Sequence, residues 1–201
     1  MARVLVIGAS GLLGSRVCEA LAETAEVISA SRSGSAEVVD ITDPASILAL
    51  LEKVGPVDAI VCTAGMVRFV PLADTTGEDW VHGLANKLMG QINVARVGSD
   101  HVTDGGSIVL TTGILAQYPM PGSSIVSTVN AAVEGFVRAA ALELKRGVRI
   151  NAVSPGWVAE SMVAMGMNPE PGLAAAEVAS AYVELLNSAS NGSIVPVAKG
   201  M

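Results

Sequence analysis

Near its amino terminus the chain reads Gly8-Ala9-Ser10-Gly11-Leu12-Leu13-Gly14, three glycines at intervals of three, directly after the apolar run Val4-Leu5-Val6-Ile7. A strand that ends on such a turn and opens into a helix makes a phosphate cradle. Gly8 permits the tight turn, Gly11 lets the backbone approach a pyrophosphate, and Gly14 lets the helix pack closely. The first helical N–H groups, around Ser10, Leu12 and Leu13, then face the anion together with the positive end of the helix dipole. A purely structural turn is the alternative. A dinucleotide with a free ribose 2′-hydroxyl calls for Asp or Glu at the end of the second strand, roughly 20 residues further on. That place reads Ser29-Ala30-Ser31-Arg32-Ser33 and has no carboxylate. A guanidinium between two hydroxyls meets a 2′-phosphate bidentately. Ser31, Arg32 and Ser33 therefore favour NADP(H) over NAD(H), against the plainer reading of a solvated loop arginine.

The elements that must position this cradle alternate along the chain. Arg3–Ile7, Glu26–Ala30, Glu37–Ile41, Val57–Cys62, Ser107–Thr111, Arg149–Val153 and Ser193–Val197 read as strands. Between them, Leu12–Glu23, Asp43 to about Val54, Thr76 to about Gly98, Ser124–Leu144 and Ala175–Leu186 read as helices. Asp43-Pro44 is a helix start, since Asp accepts orphan N–H bonds and Pro at the first position has none to lose. In Ser124–Leu144 the apolar residues Ile125, Val129, Val133, Phe136, Val137 and Ala140 recur at helical spacing. Alternating strands and helices predict a single Rossmann-like, doubly wound α/β domain over residues 1–201. It has a parallel sheet of about seven strands and helices on both faces. Glu160–Gly172, with two prolines and three methionines, reads as a flexible loop near a cleft or as a mere connection.

Composition agrees and narrows the partners. Hydrophobic residues make up 51% and charged ones only 15%, which suits strands hidden on both faces. A net charge of −7 argues against nucleic acid, and no basic run serves a membrane surface. Cys18 and Cys62 stand far apart without thiol or histidine partners, so buried free thiols are expected rather than a disulfide or metal site. The opening apolar run is too short for a signal peptide, and no segment reads as long and apolar enough to span a bilayer. A cytoplasmic protein is expected. His82 and His101 read as surface residues.

Further landmarks follow in order: Asp40-Ile41, Thr63-Ala64-Gly65, Gly106-Ser107-Ile108-Val109, Ala131-Ala132-Val133-Glu134-Gly135-Phe136 and Ile150-Asn151-Ala152-Val153-Ser154-Pro155-Gly156. Together they make the chain resemble a short-chain dehydrogenase/reductase over essentially its whole length. The resemblance implies that Asp40 and Ile41 contact the adenine. It places Thr63, Ala64 and Gly65 along the middle of the cofactor, and Pro155, Gly156 and Val158 beside the nicotinamide. It also implies a small carbonyl or alcohol substrate, and a homodimer or homotetramer paired through Thr76–Gly98 and Ser124–Leu144. The glycine spacing resembles extended or atypical branches of the family, and the chain is shorter than usual after Gly156.

Ordinary members of that family protonate the substrate with a Tyr-x-x-x-Lys pair, assisted by a serine and an asparagine. Neither tyrosine here fits: four residues beyond Tyr118 is Gly122, and four beyond Tyr182 is Leu186. Alignment through the landmarks puts Val126 at the tyrosine, Asn130 at the lysine, Gly113 at the serine with Thr112 just before it, and Lys87 at the asparagine. If chemistry is rebuilt, Lys87 holds the nicotinamide ribose or donates a proton. Thr112 then bonds a substrate carbonyl or the cofactor, and Asn130 holds ribose hydroxyls. Tyr118 is a further candidate acid, although a tyrosine beside Pro119 reads more simply as part of a loop. The opposing reading is an NADP(H)-binding sensor or partner-binding protein that does not turn over, and an epimerase-like use of the cofactor is a third.

Overall fold

Seven parallel strands form one sheet in the order β3-β2-β1-β4-β5-β6-β7. The computed structural model describes residues 1–200. The strands are β1 (Ala2–Ile7), β2 (Ala25–Ser31), β3 (Glu37–Val38), β4 (Val57–Cys62), β5 (Val102–Thr111), β6 (Arg149–Pro155) and β7 (Ile194–Val197). The helices are α1 (Leu12–Leu21), α2 (Pro44–Val54), α3 (Gly77–Gly83), α4 (Gly90–Gly98), α5 (Ser124–Glu143), α6 (Ala159–Ala164) and α7 (Ala175–Asn187). The expected doubly wound sheet is the one found.

Alternation along each strand sorts the core into two layers. Leu5, Ile7, Ile60, Ile108, Leu110 and Ile150 face the helices α2, α4 and α5, where Ile47, Leu51, Val94 and Val133 meet them. Val4, Val6, Ala59, Val61, Val109 and Val153 face α1 and α7, against Val17, Val178 and Leu185. The bulkier residues lie on one face and the smaller on the other, so α1 can come close to the strand ends that it follows. Each fully buried Val, Leu or Ile contributes about 1.5–3 kcal/mol.

Tyr182 on α7 is wholly buried. Its hydroxyl lies 2.8 Å from Thr111 Oγ1, which itself donates to the Cys62 carbonyl at 2.7 Å, so the tyrosine is the donor. Tyr182→Phe should cost about 1 kcal/mol, because one hydrogen bond is lost while Thr111 keeps its other partner. Thermal unfolding should show a Tm lower by about 2–4 °C. An unchanged Tm would refute that role.

Several boundaries differ from expectation. β3 stops at Val38 rather than Ile41, because the Asp40 N–H turns away to Ser46 Oγ at 3.0 Å and its carboxylate caps Thr42. β5 begins at Val102, five residues earlier than expected. The stretch is helical from Gly77 to Gly98 with Thr76 as its N-cap, but Leu84–Met89 within it widens into a π-helical turn. Residues 160–172 are not a free loop: α6 occupies Ala159–Ala164 with Met162 buried, and Glu160 accepts from Ala175 N at the head of α7 at 3.0 Å. His82 and His101 are half-buried rather than surface residues. The Nε2 of His82 is shielded without a partner, and Nδ1 of His101 lies 3.3 Å from the Val97 carbonyl. Contrary to the reading that no segment could span a bilayer, α5 is long and apolar enough by length and mean hydropathy, 1.3. Its apolar residues Val133 and Val137 pack on the sheet instead, and Ile125 and Val129 are buried beside Gly83 on α3. Cys62 is buried and Cys18 half-buried, both as free thiols.

Candidate active site

The strand order reverses between β1 and β4, and the chain leaves both strands there at their carboxyl ends. Such a switch point opens a crevice. Gly8 leaves β1 at φ +94°, a conformation that favours glycine, and its N–H donates to the Ala30 carbonyl at 2.8 Å. A Cβ on Gly14 would stand 2.1 Å from the Gly8 carbonyl oxygen, so α1 reaches this turn only because residue 14 has no side chain. Leu12, Leu13 and Gly14 occupy the first turn of α1, whose N–H groups have no intrahelical acceptor. The side chains of Leu12 and Leu13 pack down onto the core. Thr63 Oγ1 clasps the turn from β4, 3.3 Å from the Ile7 and Gly8 carbonyls.

A first cleft of about 320 Å³ runs over this cradle, and Gly8, Ser10, Gly11, Ser31, Arg32, Ser33, Asp40, Ile41, Thr63, Ala64 and Gly65 all line it. Arg32 is exposed in its wall and makes no ion pair among the described residues. The Ser31 hydroxyl is tied to the Ser33 carbonyl at 2.8 Å, which holds the loop around Arg32. Hydrogen bonds from Thr42, and more weakly the Arg32 charge, hold Asp40 below the usual carboxylate range. An open set of N–H donors, a backbone approachable at two glycines and a free guanidinium fit the pyrophosphate and 2′-phosphate of NADP(H).

A second cleft, of about 470 Å³, continues from the first at Gly65. Its walls are Val67, Phe69, Ile114, Leu115, Val126, Trp157, Val158 and Met165, with Lys87, Asn130, Gly113, Pro155 and Gly156 on its floor. The rings of Phe69 and Trp157 stack at 6.2 Å. Lys87 sits in the π-helical turn, a feature frequent at functional positions. Its Nζ donates to Asn130 Oδ1 at 2.7 Å and to the Thr112 carbonyl at 3.1 Å. Burial lowers its pKa from 10.5 to about 8. Lys87 and Asn130, separated by 43 positions, are thus brought into direct contact.

Thr112 does not reach the cleft. Its hydroxyl is buried, donating to the Asn130 carbonyl at 3.0 Å and facing Glu134 Oε1 at 3.4 Å, so only its carbonyl serves Lys87. The physical reason is strand alternation: with Thr111 turned towards α7, Thr112 turns towards α5. A Cβ on Gly113 would meet the Asn130 amide nitrogen at 2.7 Å, so the amide fills the space that a serine side chain there would need. Tyr118 is 62% exposed and lies outside the cleft lining.

Two supporting residues escaped the sequence reading. Gln91 is wholly buried, accepts from Thr111 N at 2.9 Å and donates to the Thr111 carbonyl at 2.8 Å. It also lies 3.3 Å from the Ala64 carbonyl, and so joins the ends of β4 and β5 beneath the cleft. Its position four residues after Lys87, on the same helix face, was the available signal. Glu134 is buried beneath Asn130 and accepts from Gln117 Nε2 at 2.5 Å, pinning the loop that follows β5.

A parallel sheet with a glycine cradle at its switch point defines the Rossmann-like class. Within it, the family profile described as Enoyl-(Acyl carrier protein) reductase matches residues 8–190. A solved protein from Listeria innocua superposes with a TM-score of 0.92 at 40% identity, covering 98% of this chain and 100% of that one. A small-chain dehydrogenase solved in complex with NADPH superposes with a TM-score of 0.87 at 26% identity, covering 99% of this chain and 97% of that one. A hydroxynaphthalene reductase from Aspergillus fumigatus is 34% identical over 146 residues, which are 70% of this chain and 54% of that protein. The chain thus spans about half the length of that curated relative. It belongs to the short-chain dehydrogenase/reductase family.

Proposed function

We propose that the protein is an NADP(H)-dependent oxidoreductase for a small apolar carbonyl or alcohol, with Lys87 as the proton donor. The observation that carries this reading is the continuity of the two clefts at Gly65. A free guanidinium stands at one end and an ammonium is the only titratable group among the described residues lining the other. Relatives named as reductases and a neighbour holding NADPH support it.

The cradle from Gly8 to Gly14 would hold the pyrophosphate, and Ser31, Arg32 and Ser33 the 2′-phosphate. Asp40 and Ile41 would flank the adenine, Thr63–Gly65 the middle, and Pro155, Gly156 and Val158 the nicotinamide. Bound NADPH supplies the hydride. Lys87 then supplies, from the turn between α3 and α4, the proton that the family's tyrosine–lysine pair supplies from α5, and it contacts Asn130, which stands at the family's lysine position. Asn130 orients the ammonium, and the apolar walls exclude water from it. Thr112 takes part only through its carbonyl.

Incubation of the purified protein with NADPH and a panel of carbonyl compounds, followed by absorbance of the reduced cofactor, tests the reading. Tight binding without consumption would favour the sensor, and product without net change in cofactor an epimerase-like enzyme. Arg32→Ala should weaken NADPH about 10- to 100-fold and leave NADH unchanged, the loss expected for a charge-assisted phosphate contact of about 1.5–3 kcal/mol. Equal effects on both cofactors, measured as Kd, would show that Arg32 does not read the 2′-phosphate.

We also propose that α5 pairs with a second copy. Its outer side exposes Thr128, Ala131, Gly135, Ala139 and Leu142, small or apolar residues with Arg138 among them. Light scattering should report a dimer or tetramer, and a monomer at micromolar concentration would overturn this.

A further inference from the structure

The hydrogen bonding of Lys87 accommodates a neutral amine as well as an ammonium. An ammonium carries three N–H donors, whereas an amine carries two and a lone pair. The structure supplies two protein acceptors, Asn130 Oδ1 at 2.7 Å and the Thr112 carbonyl at 3.1 Å. No ion pair with Lys87 forms among the described residues. Two titratable groups stand near. Cys62 on β4 is pushed up by burial to about 12 and is uncharged near neutrality. Glu134 on α5 lies behind Thr112 and is engaged by Gln117. With both N–H bonds directed at protein acceptors, the remaining tetrahedral position of Nζ is left for whatever occupies the cleft that Lys87 lines.

That cleft takes an apolar body. Val67, Phe69, Val126, Trp157 and Met165 form its walls, and about 470 Å³ is room for a small molecule. We propose that Lys87 is also a nucleophile that captures aldehydes bearing a small apolar or aromatic group, as a reversible imine. The inference rests on the reading that Lys87 faces the reacting carbonyl, and it is independent of NADP(H). The amine lone pair attacks the carbonyl carbon, the C–N bond forms and the C=O π pair moves to oxygen. Proton transfer from nitrogen to oxygen gives the carbinolamine, which loses water to leave the imine. No redox change occurs. Near neutral pH a group titrating near 8 is free amine roughly 200- to 300-fold more often than an ordinary lysine.

The protein carries its own controls, because its other lysines, Lys53, Lys145 and Lys199, are all exposed. The test treats the whole protein, without NADPH, with 3-phenylpropanal and sodium cyanoborohydride at neutral pH. The borohydride delivers hydride to the iminium and fixes the adduct as a secondary amine, which peptide mass mapping then locates. Labelling of Lys87 should exceed that of each exposed lysine at least tenfold and rise with pH to a plateau above about 8. Val126→Trp, which fills the cleft, should slow labelling of Lys87 and leave the other three unchanged. Labelling of Lys87 no faster than the exposed lysines overturns the proposal, as does insensitivity to Val126→Trp. Fluorescence titration with NADPH on the same preparation separates the readings: binding without labelling sinks the nucleophile alone, and labelling without binding sinks the cofactor reading alone.

Discussion

Gly14→Ala should remove most of the affinity for NADP(H), by at least about tenfold, while the sheet still folds. The new Cβ would stand 2.1 Å from the Gly8 carbonyl oxygen, 2.7 Å from the Gly8 carbonyl carbon and 2.8 Å from Thr63 Oγ1. Two of those atoms are backbone, so no side chain can swing aside to relieve the contact. Either α1 moves off the turn or the turn moves off β1, and both displace the N–H groups that would face the pyrophosphate. Overpacking of this kind costs about 1–3 kcal/mol. Each 1.4 kcal/mol of lost binding is tenfold in Kd. Gly11→Ala is the comparison, because its Cβ would sit 3.2 Å from the same oxygen, a contact relieved by a shift of a few tenths of an ångström. NADPH fluorescence titrations should rank native above Gly11→Ala above Gly14→Ala. Circular dichroism should show a Tm lower by several degrees for Gly14→Ala, given about 2–4 °C per kcal/mol in a chain of this size. Equal Kd values for the two variants would mean that close approach at residue 14 does not shape the cradle.

How far the sequence carried the structure depended on whether a feature was local. The strands were legible because their residues are buried on both faces, and runs such as Val4–Ile7 and Ala59–Cys62 admit no other placement. The cradle was legible because three glycine positions carry its geometry. β3 was overrun because its end is decided by a side chain, Ser46 on α2, that competes for the Asp40 N–H. α6 was missed because a short helix gains little from propensity alone. It is held by burial of Met162 and by the Glu160 bond to the head of α7, neither visible as periodicity. In the second cleft, alignment named Lys87, Gly113, Val126 and Asn130, which line it, but not the directions of the side chains. Lys87 and Asn130 meet as their exchange of places suggests, whereas the Thr112 hydroxyl turns under the site. Gln91 and Glu134 escaped because a buried polar residue cannot be told from an exposed one on an amphipathic helix until its partners are placed.

Lys87→Met is expected to lower the turnover number by about 10²- to 10⁴-fold, the usual worth of a positioned acid. Methionine keeps the volume and apolar stem, so the cleft stays packed and the loss isolates the amino group. The pH profile carries the stronger argument. In the free protein Lys87 titrates near 8 because burial disfavours its charged form. Carbonyl reduction needs that charged form, so kcat/KM should be level at lower pH and fall as pH rises through about 8. Alcohol oxidation needs the neutral amine and should rise over the same interval, since one group serves both directions. The Met variant should lose both limbs and keep only a shallow residual rate. Lys87→Arg separates the two roles of the cation: a guanidinium stays charged and can bond ribose hydroxyls, but does not release its proton in this range. NADPH affinity should therefore persist in Lys87→Arg while turnover falls as far as in Lys87→Met. Tyr118→Phe, altering an exposed ring outside the cleft, should leave turnover and its pH profile unchanged. If Lys87→Arg instead turned over like the native protein, Lys87 would act by charge alone and the proton would come from water. The apolar walls around Val126 oppose that outcome, because they leave Lys87 as the one titratable donor among the described residues that line the cleft.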